Sequence, residues 1–154
     1  MKRPTFETFN QEWADKVVGR VSRKGIDSYL GLEVTSVEPG RLECKMPITD
    51  ELITGMGNMH GGCLSAMCDH VLGVVMYPVM PEGYWAATTE FKINLLAPVT
   101  GGTCMATAEI VSMSKRLAVV RIDVENDGRL VAVAQGTCTI VAPRSSSPEG
   151  GTGG

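Results

Sequence analysis

The chain has 154 residues, of which 44% are hydrophobic and 20% are charged, and its formal net charge is −3. This length suits one domain with a packed core, and the composition is ordinary for a globular protein. Because the sequence has no concentrated basic face, nucleic acid is not expected as the main partner. The basic residues at the N-terminus are not followed by an apolar segment, so no signal peptide is predicted.

Two further features bound the class of protein. The apolar stretch from Cys63 to Met80 is interrupted by Asp69, His70 and Pro78, which argues against membrane insertion. The five cysteines show no spacing typical of a metal site, so no metal is predicted. Without a secretion signal the thiols are expected to be reduced, and the expected location is cytoplasmic.

Residues 1–29 are predicted to form an N-terminal amphipathic helix packed on the domain. Within 5–24, apolar residues three to four apart form one stripe, and Gly25 is predicted to end the helix. The stripe consists of Phe6, Phe9, Trp13, Val17 and Val21. From Leu30 the apolar period changes to two, so residues 30–48 are predicted to form two strands joined at Pro39-Gly40.

Residues 60–77 are predicted to form a helix that is apolar on nearly every face and ends at Pro78, so protein must surround it. Four predicted strands follow, with turns at Gly101-Gly102 and 126–128: residues 85–99, 103–113, 117–126 and 129–142. One antiparallel sheet wrapped around one long central helix, an α+β architecture, satisfies this order over residues 30–142. Residues 143–154 are predicted to be a disordered tail.

The start of the central helix carries the first candidate chemistry. Gly61 and Gly62 follow His60, and glycines there leave the first-turn N–H groups unobstructed. With the helix dipole behind them, these groups could hold a developing oxyanion. A tight loop-to-helix turn that needs glycine explains the same pattern, and spacing alone does not choose between the two.

Asp69 is the second candidate, because it lies in the middle of a helix that has no polar face. A carboxylate buried there is costly unless it is hydrogen-bonded or its pKa is shifted, which is typical of a general base or nucleophile. The alternative is a structural carboxylate bonded to His70 or to the backbone. Gly61 and Asp69 are eight residues, or roughly 12 Å, apart on one helix. If both are catalytic, two antiparallel copies must meet, so the protein is predicted to be at least a homodimer.

Thr88 and Thr89 begin the long strand after the helix. Alternation places one of these hydroxyls on the helix-facing side of the sheet, where it could orient water or the Asp69 carboxylate. Threonine is also common in strands for reasons of propensity alone.

The segment HGGCLSAMCDH, the strand TTEFKINLLAPV and the strand opening GGTCMATAEIV together resemble the hotdog-fold acyl-CoA thioesterases of the phenylacetate-pathway type. The resemblance covers about residues 30–142. It implies that the Gly61 N–H polarises the thioester carbonyl and that His60 supports the loop. It further implies that Asp69 acts as general base or nucleophile from the partner subunit, and that Thr88 helps to position water.

The resemblance also implies where the substrate is held. Many relatives carry an asparagine six residues before the histidine, where this chain has Thr54, and Asn58 nearby is left unassigned. The turn residues Lys115 and Arg116 could pair with the phosphates of coenzyme A, or could form only a solvated turn. The predicted substrate-binding residues are therefore Thr54, Gly62, Thr89, Lys115 and Arg116.

The remaining polar and sulfur-containing residues near the motif receive structural roles. His70 is interpreted as a packing residue or a partner of Asp69. Met56, Met59, Met67 and Met76 could line an acyl tunnel, although core filler is the expected role of most of them. Cys63 and Cys68 have no matched base, so catalytic thiols are not expected.

The predicted function is hydrolysis of an acyl-CoA to free acid and coenzyme A, by a homodimer or homotetramer with no metal or organic cofactor. Two alternatives remain open. One is a hotdog hydratase or dehydratase, which His60 beside two glycines fits poorly. The other is a non-catalytic acyl-CoA-binding domain, which would have no reason to bear the desolvation cost of a buried Asp69 carboxylate.

Overall fold

The computed structural model describes residues 4–21 and 23–143 of the chain. Its architecture is a single antiparallel sheet of six strands packed against one long central helix. The helices are α1 (Gln11–Val17), α2 (Gly25–Tyr29) and α3 (Gly61–Val74), and the strands are β1 (Glu33–Glu38), β2 (Arg41–Pro47), β3 (Trp85–Leu95), β4 (Thr103–Met113), β5 (Leu117–Asn126) and β6 (Arg129–Val141). Short 3-10 turns cover Asp50–Leu52 and Tyr77–Val79. The predicted hotdog fold is confirmed.

The strands lie in the order β1-β2-β4-β5-β6-β3, so β3 occupies one edge of the sheet beside β6. Two of the predicted turns close hairpins. Pro39-Gly40 joins β1 to β2, with Gly40 at a φ of 73°, and Asp127-Gly128 joins β5 to β6, with both residues at positive φ. Such two-residue turns match the twist of antiparallel strands.

The core lies between α3 and the concave face of the sheet. Five residues of α3 face the sheet and are buried: Leu64, Met67, Cys68, Val71 and Leu72. Alternate residues of β4, β5 and β6 pack against them, which is the period expected of a sheet with one covered face. Because each large apolar side chain contributes about 1.5–3 kcal/mol when fully buried, this layer holds α3 in place.

The segment Gly61–Val79 has 19 residues and is long and apolar enough to cross a membrane, with a mean hydropathy of 1.3 over a window of 18 residues. Half of that window is buried inside the described structure. Packing beneath the sheet therefore accounts for its apolar composition, as for any core helix.

The N-terminal segment differs from the predicted continuous helix over 5–24. Asn10 caps α1 by accepting a hydrogen bond from the Trp13 N–H at 2.9 Å, and the helix ends at Val17 because Val18 is extended and Gly19 has a φ of 73°. Gly25, predicted to end a helix, begins α2 instead. The apolar residues of the stripe do not require one long helix. Phe6 and Phe9 pack on the core from the segment that precedes α1. The predicted tail beyond residue 143 lies outside the described residues.

Candidate active site

The N-terminus of α3 presents one backbone donor without a partner. His60 is the N-cap, and its Nδ1 accepts a hydrogen bond from the Gly62 N–H at 2.9 Å. The Cys63 N–H donates to the His60 carbonyl at 2.9 Å. Within residues 4–21 and 23–143, the Gly61 N–H has no hydrogen-bond acceptor. That group therefore points out of the helix at its positive end, where a developing negative charge is stabilised.

The two glycines of the motif are required for different contacts. A Cβ on Gly61 would lie 2.5 Å from Cδ1 of Leu95, at the end of β3. A Cβ on Gly62 would lie 2.8 Å from Nδ1 of His60, the atom that caps the helix. Gly61 therefore keeps the space beside its N–H open, while Gly62 leaves room for the capping imidazole.

A pocket of ≈ 300 Å³ opens beside the Gly61 N–H. The end of β3 and the loop after it form one wall, and the start of α3 forms the other: Asn58, Met59, Gly61, Leu64, Leu95, Leu96, Ala97, Pro98 and Val99. Leu95 and Leu96 are 53% and 51% exposed, which is unusual for adjacent leucines. The pocket is thus largely apolar, with Asn58 and the Gly61 backbone as polar groups, the composition expected of a site for a small apolar ligand.

Asp69 lies on the face of α3 that the sheet does not cover, and it is exposed in the single chain. The prediction that this carboxylate is buried is wrong for one chain, because the helix has a second face on which Gly62 is also exposed. No hydrogen bond joins Asp69 to His70 among the described residues. The carboxylate is therefore available to a second molecule that covers this face.

Thr88 lies on the same side of the sheet as Asp69. Burial raises the pKa of the Cys138 thiol, and the negative charge of Asp69 raises that pKa further. A hydrogen bond with the Thr88 side chain lowers it and so opposes the shift. The charge of Asp69 also adds to the burial that raises the pKa of Cys68 to about 12. Thr88 pairs with Cys138 in the β3–β6 register, and the Cys138 Sγ lies 3.5 Å from the Leu72 carbonyl oxygen of α3, so both residues lie in the neighbourhood of α3.

Thr89 is separated from this neighbourhood by a β-bulge between Thr88 and Glu90. Its hydroxyl lies 2.7 Å from that of Thr139, on the opposite face of the sheet from α3. The alternation expected for the two threonines is therefore present, with Thr88 on the helix side. A role for Thr89 in substrate binding stays a prediction, and its own chain does not bring it to Asp69.

The loop before α3 contains one pocket residue that sequence reasoning left unassigned. Asn58 lines the pocket beside Gly61, whereas Thr54 does not. The Thr54 hydroxyl instead accepts a hydrogen bond from the Met56 N–H at 3.2 Å, inside the turn. The usable signal was that Asn58 stands two residues before His60, in the segment that must approach the helix start.

Lys115 and Arg116 are exposed in the turn between β4 and β5. This turn adjoins Ile140, at the end of the sheet where β3 begins, whereas Gly61 adjoins Leu95, where β3 ends. An eleven-residue strand separates the two ends by roughly 30 Å. The turn therefore does not reach the Gly61 pocket of its own chain.

The other residues around the motif fall into structural positions. Burial lowers the pKa of His70, while the charges of Asp27 and Asp69 partly oppose that shift. Burial raises the pKa of the Cys63 and Cys68 thiols, so neither cysteine has the lowered pKa of a catalytic thiol. Three of the four methionines are buried core residues, namely Met59, Met67 and Met76, whereas Met56 is 90% exposed.

Known proteins with similar sequences identify the family. Residues 56–133, half of the chain, match the sequence profile of the Thioesterase superfamily. Acyl-coenzyme A thioesterase PaaI of Escherichia coli is 28% identical over 98 residues, covering 63% of this chain and 68% of that protein. Human acyl-coenzyme A thioesterase 13 is 22% identical over 134 residues, covering 86% of this chain and 95% of that protein.

Solved structures give the same result. A thioesterase family protein from Silicibacter pomeroyi has a TM-score of 0.73 at 29% identity, covering 78% of this chain and 91% of that one. A thioesterase from Haemophilus influenzae, with a TM-score of 0.78 and 21% identity over 92% of this chain and 97% of that one, shares the fold. The fold and the α3 site thus define a hotdog-fold thioester hydrolase. The chain belongs to the thioesterase superfamily, and the resemblance based on HGGCLSAMCDH is confirmed.

Proposed function

We propose that this protein hydrolyses acyl-CoA thioesters to a free carboxylic acid and coenzyme A. The observation that carries the proposal is the Gly61 N–H, which lacks an acceptor at the positive end of α3 and borders an apolar pocket. A thioester carbonyl seated there gains a donor whose strength rises as negative charge develops on the oxygen. The names of the PaaI and human relatives support coenzyme A as the carrier.

The second catalytic group comes from a second chain. Gly61 and Asp69 lie roughly 12 Å apart along one α-helix, so one copy cannot apply both to the same carbonyl. Asp69 is exposed on the uncovered face of α3, where an antiparallel copy of the helix would meet it. We therefore assign the active site to a homodimer, with Gly61 from one subunit and Asp69 from the other, and extend the assembly to a homotetramer by resemblance.

Two routes use the same residues. In the first, Asp69 accepts a proton from water as the water oxygen attacks the carbonyl carbon, and the Gly61 N–H holds the resulting oxyanion. The oxyanion then reforms the carbonyl, the C–S bond breaks, and the thiolate of coenzyme A takes the proton. In the second, an Asp69 oxygen attacks the carbonyl, expels the thiolate, and forms an anhydride that water cleaves. Neither route needs a metal or an organic cofactor.

The remaining predicted residues receive supporting roles in this proposal. Thr88, in the neighbourhood of Asp69, positions water or the carboxylate. Lys115 and Arg116 lie too far from the Gly61 pocket of their own chain to contact a substrate bound there. In this proposal they pair with the phosphates of a substrate that is bound mainly by another subunit. Gly62 is assigned to the substrate-binding surface, whereas substrate binding by Thr54 and Thr89, which lie outside the Gly61 pocket of their own chain, stays a prediction. The five free cysteines agree with a cytoplasmic location.

The oxyanion role is tested by two substitutions at one position. Gly61→Pro removes the N–H, and proline is well tolerated at the first helical position after an extended residue such as His60. Gly61→Ala adds the same Cβ beside Leu95 but keeps the N–H. We expect kcat for thiol release to fall about 10²–10³-fold in Gly61→Pro and only a few-fold in Gly61→Ala. Equal rates for the two variants would refute the role of this N–H.

The role of Asp69 and the shared site are tested together. Asp69→Asn is expected to lower kcat about 10²–10⁴-fold without loss of folding. Mixing this variant with Gly61→Pro under subunit exchange should restore about a quarter of wild-type activity, because half of the dimers then hold one intact site. No recovery in demonstrated mixed dimers would place both groups in one chain. Binding of acyl-CoA with no turnover by the wild type would favour a non-catalytic domain.

A further inference from the structure

A second cavity, of ≈ 370 Å³, lies between the N-terminal elements and the outer side of α3. We call it the N-terminal pocket. Its apolar wall includes Trp13, Val17, Leu32, Val74 and Tyr77. Its volume is at the lower end of the roughly 300–1,000 Å³ typical of small-molecule sites. This cavity shares no lining residue with the pocket beside Gly61.

The wall of the N-terminal pocket is ordered by aromatic contact. Trp13 of α1 stacks on Tyr77, with ring centroids 5.8 Å apart and an angle of 22° between the planes. The Asn10 N–H also donates to the Pro78 carbonyl at 2.7 Å, which fixes the start of α1 against the end of the central helix. The cavity therefore has a defined wall rather than a gap left by loose packing.

The mouth of the N-terminal pocket carries an excess of positive charge. Arg20 and Arg23 line it and are exposed, and neither forms an ion pair within the described ranges 4–21 and 23–143. Asp27 is the one carboxylate among the lining residues. A ligand with an apolar body and an anionic end would match the wall and the mouth together.

The position of this cavity connects it to the proposed reaction. His70 lines it, and His70 directly follows Asp69 on α3, so their side chains point about 100° apart around the helix axis. A thioester carbonyl held at Asp69 would thus lie one residue along α3 from the lining of the N-terminal pocket of the same subunit.

We propose that the N-terminal pocket receives the far end of the acyl group and favours acyl chains that end in a carboxylate. This inference rests on the proposed hydrolysis of acyl-CoA and adds the substrate class. The apolar wall contacts the methylene chain, and Arg20 and Arg23 at the mouth contact the terminal carboxylate.

The first test compares two thioesters of equal length, octanoyl-CoA and the eight-carbon acyl-CoA with a terminal carboxylate. We expect the wild type to prefer the carboxylated substrate in kcat/KM. The double variant Arg20→Gln/Arg23→Gln should reduce the ratio of the two kcat/KM values by about 3- to 10-fold. Lys16→Gln is the matched control, because it removes one positive charge from α1 at a side chain that is 68% exposed and outside the pocket.

The second test fills the cavity. Val74→Phe should lower kcat/KM for both eight-carbon substrates while leaving butyryl-CoA hydrolysis within about threefold of wild type, because a four-carbon chain does not reach the pocket. Retained butyryl-CoA activity also shows that the variant folds. A uniform loss across chain lengths, or an unchanged preference in the double arginine variant, would overturn the inference while leaving the hydrolase intact.

A binding measurement separates this inference from catalysis. In a Trp85→Phe background, Trp13 in the pocket wall is the remaining tryptophan. Octanoate, which ends in a carboxylate, should change its fluorescence at lower concentration than octanamide does, and the double arginine variant should abolish the difference. Equal affinities for octanoate and octanamide would refute the pocket assignment even if hydrolysis is demonstrated. Failure of all acyl-CoA turnover would instead refute the proposed function.

Discussion

Gly136, at the centre of β6, is predicted to be the least replaceable glycine of the sheet. An alanine Cβ there would lie 2.5 Å from Cβ of Phe91, 2.7 Å from the Glu90 carbonyl oxygen and 2.9 Å from Cδ2 of Leu72. Normal carbon contacts are about 3.5–4.0 Å, so each overlap approaches 1 Å. One of the three atoms belongs to the backbone of β3, which cannot move as a side-chain tip can.

The expected cost of Gly136→Ala follows from these contacts. Overpacking of a core costs about 1–3 kcal/mol, and alanine recovers about 0.5–1 kcal/mol of that through its lower backbone entropy in the unfolded chain. The net loss in the free energy of unfolding is therefore about 0–2.5 kcal/mol, which corresponds to a melting temperature lower by up to roughly 10 °C. Because Glu90 follows the bulge that carries Thr88, thioester hydrolysis should weaken as well.

The assay is urea unfolding followed by tryptophan fluorescence, repeated at several protein concentrations because the assembly is expected to be oligomeric. Gly101→Ala is the matched control, since a Cβ there meets nothing within 4 Å and the residue does not have a positive φ. That control should be neutral or stabilised by about 0.4–1 kcal/mol. A Gly136→Ala protein as stable as Gly101→Ala would refute the packing argument.

Three further predictions concern other parts of the fold. Asn126→Ala should destabilise the protein by about 1–3 kcal/mol, measured by urea unfolding, because the buried amide donates to the carbonyls of Gly101 and Thr103. Iodoacetamide at pH 8 should label Cys63 first in the folded protein, because Cys63 is partly exposed, whereas burial raises the pKa of each buried thiol. Mass spectrometry identifies the labelled residues. His70, whose pKa burial lowers, binds a proton more readily in the unfolded chain, so the free energy of unfolding should fall from pH 7.5 to 5.5.

Each of these predictions has its own control. Asn94→Ala removes an exposed amide from β3 and should change stability by less than about 0.5 kcal/mol, so equal losses in the two asparagine variants would contradict the buried-amide argument. Rapid labelling of a second cysteine before unfolding would contradict the burial of the thiols. For the pH dependence, His70→Gln should flatten the change, and an identical slope in that variant would show that other groups cause it.

Most of the fold was predictable from the sequence, because local patterns mark the strands and their turns. Strands with period two, and the turns at Pro39-Gly40 and Asp127-Gly128, were located to within a few residues. The N-terminal helix was overextended because an apolar stripe does not reveal that Asn10 caps a helix and Gly19 ends it. Helix propensity and apolar period depend on neighbouring residues in the sequence. The position of Phe6 depends instead on long-range contacts, which hold it against the core outside any helix.

The site was predictable only in part, for a physical reason. Gly61 was a candidate because glycine at a helix start leaves the first N–H groups unobstructed, but a tight turn explains the same pattern, and its catalytic role stays a prediction. The exposure of Asp69 was missed, because a uniformly apolar helix does not show which face the sheet covers and which face it leaves exposed. Asn58 was missed because a loop residue reaches a pocket through turn geometry, which spacing along the sequence does not specify.

The position of β3 in the sheet has a consequence for synthesis on the ribosome. β3 pairs only with β6, so its hydrogen bonds must wait until residues 129–141 have been translated. At about 5–20 residues per second, the nascent strand therefore stays unpaired for several seconds. Thr88 and Cys138, which pair across the two strands, meet only after that delay, so the face proposed to carry catalysis is among the last parts of the protein to form. Premature termination within β6 would thus leave a chain in which β1, β2, β4 and β5 can pair but in which β3 lacks its partner strand.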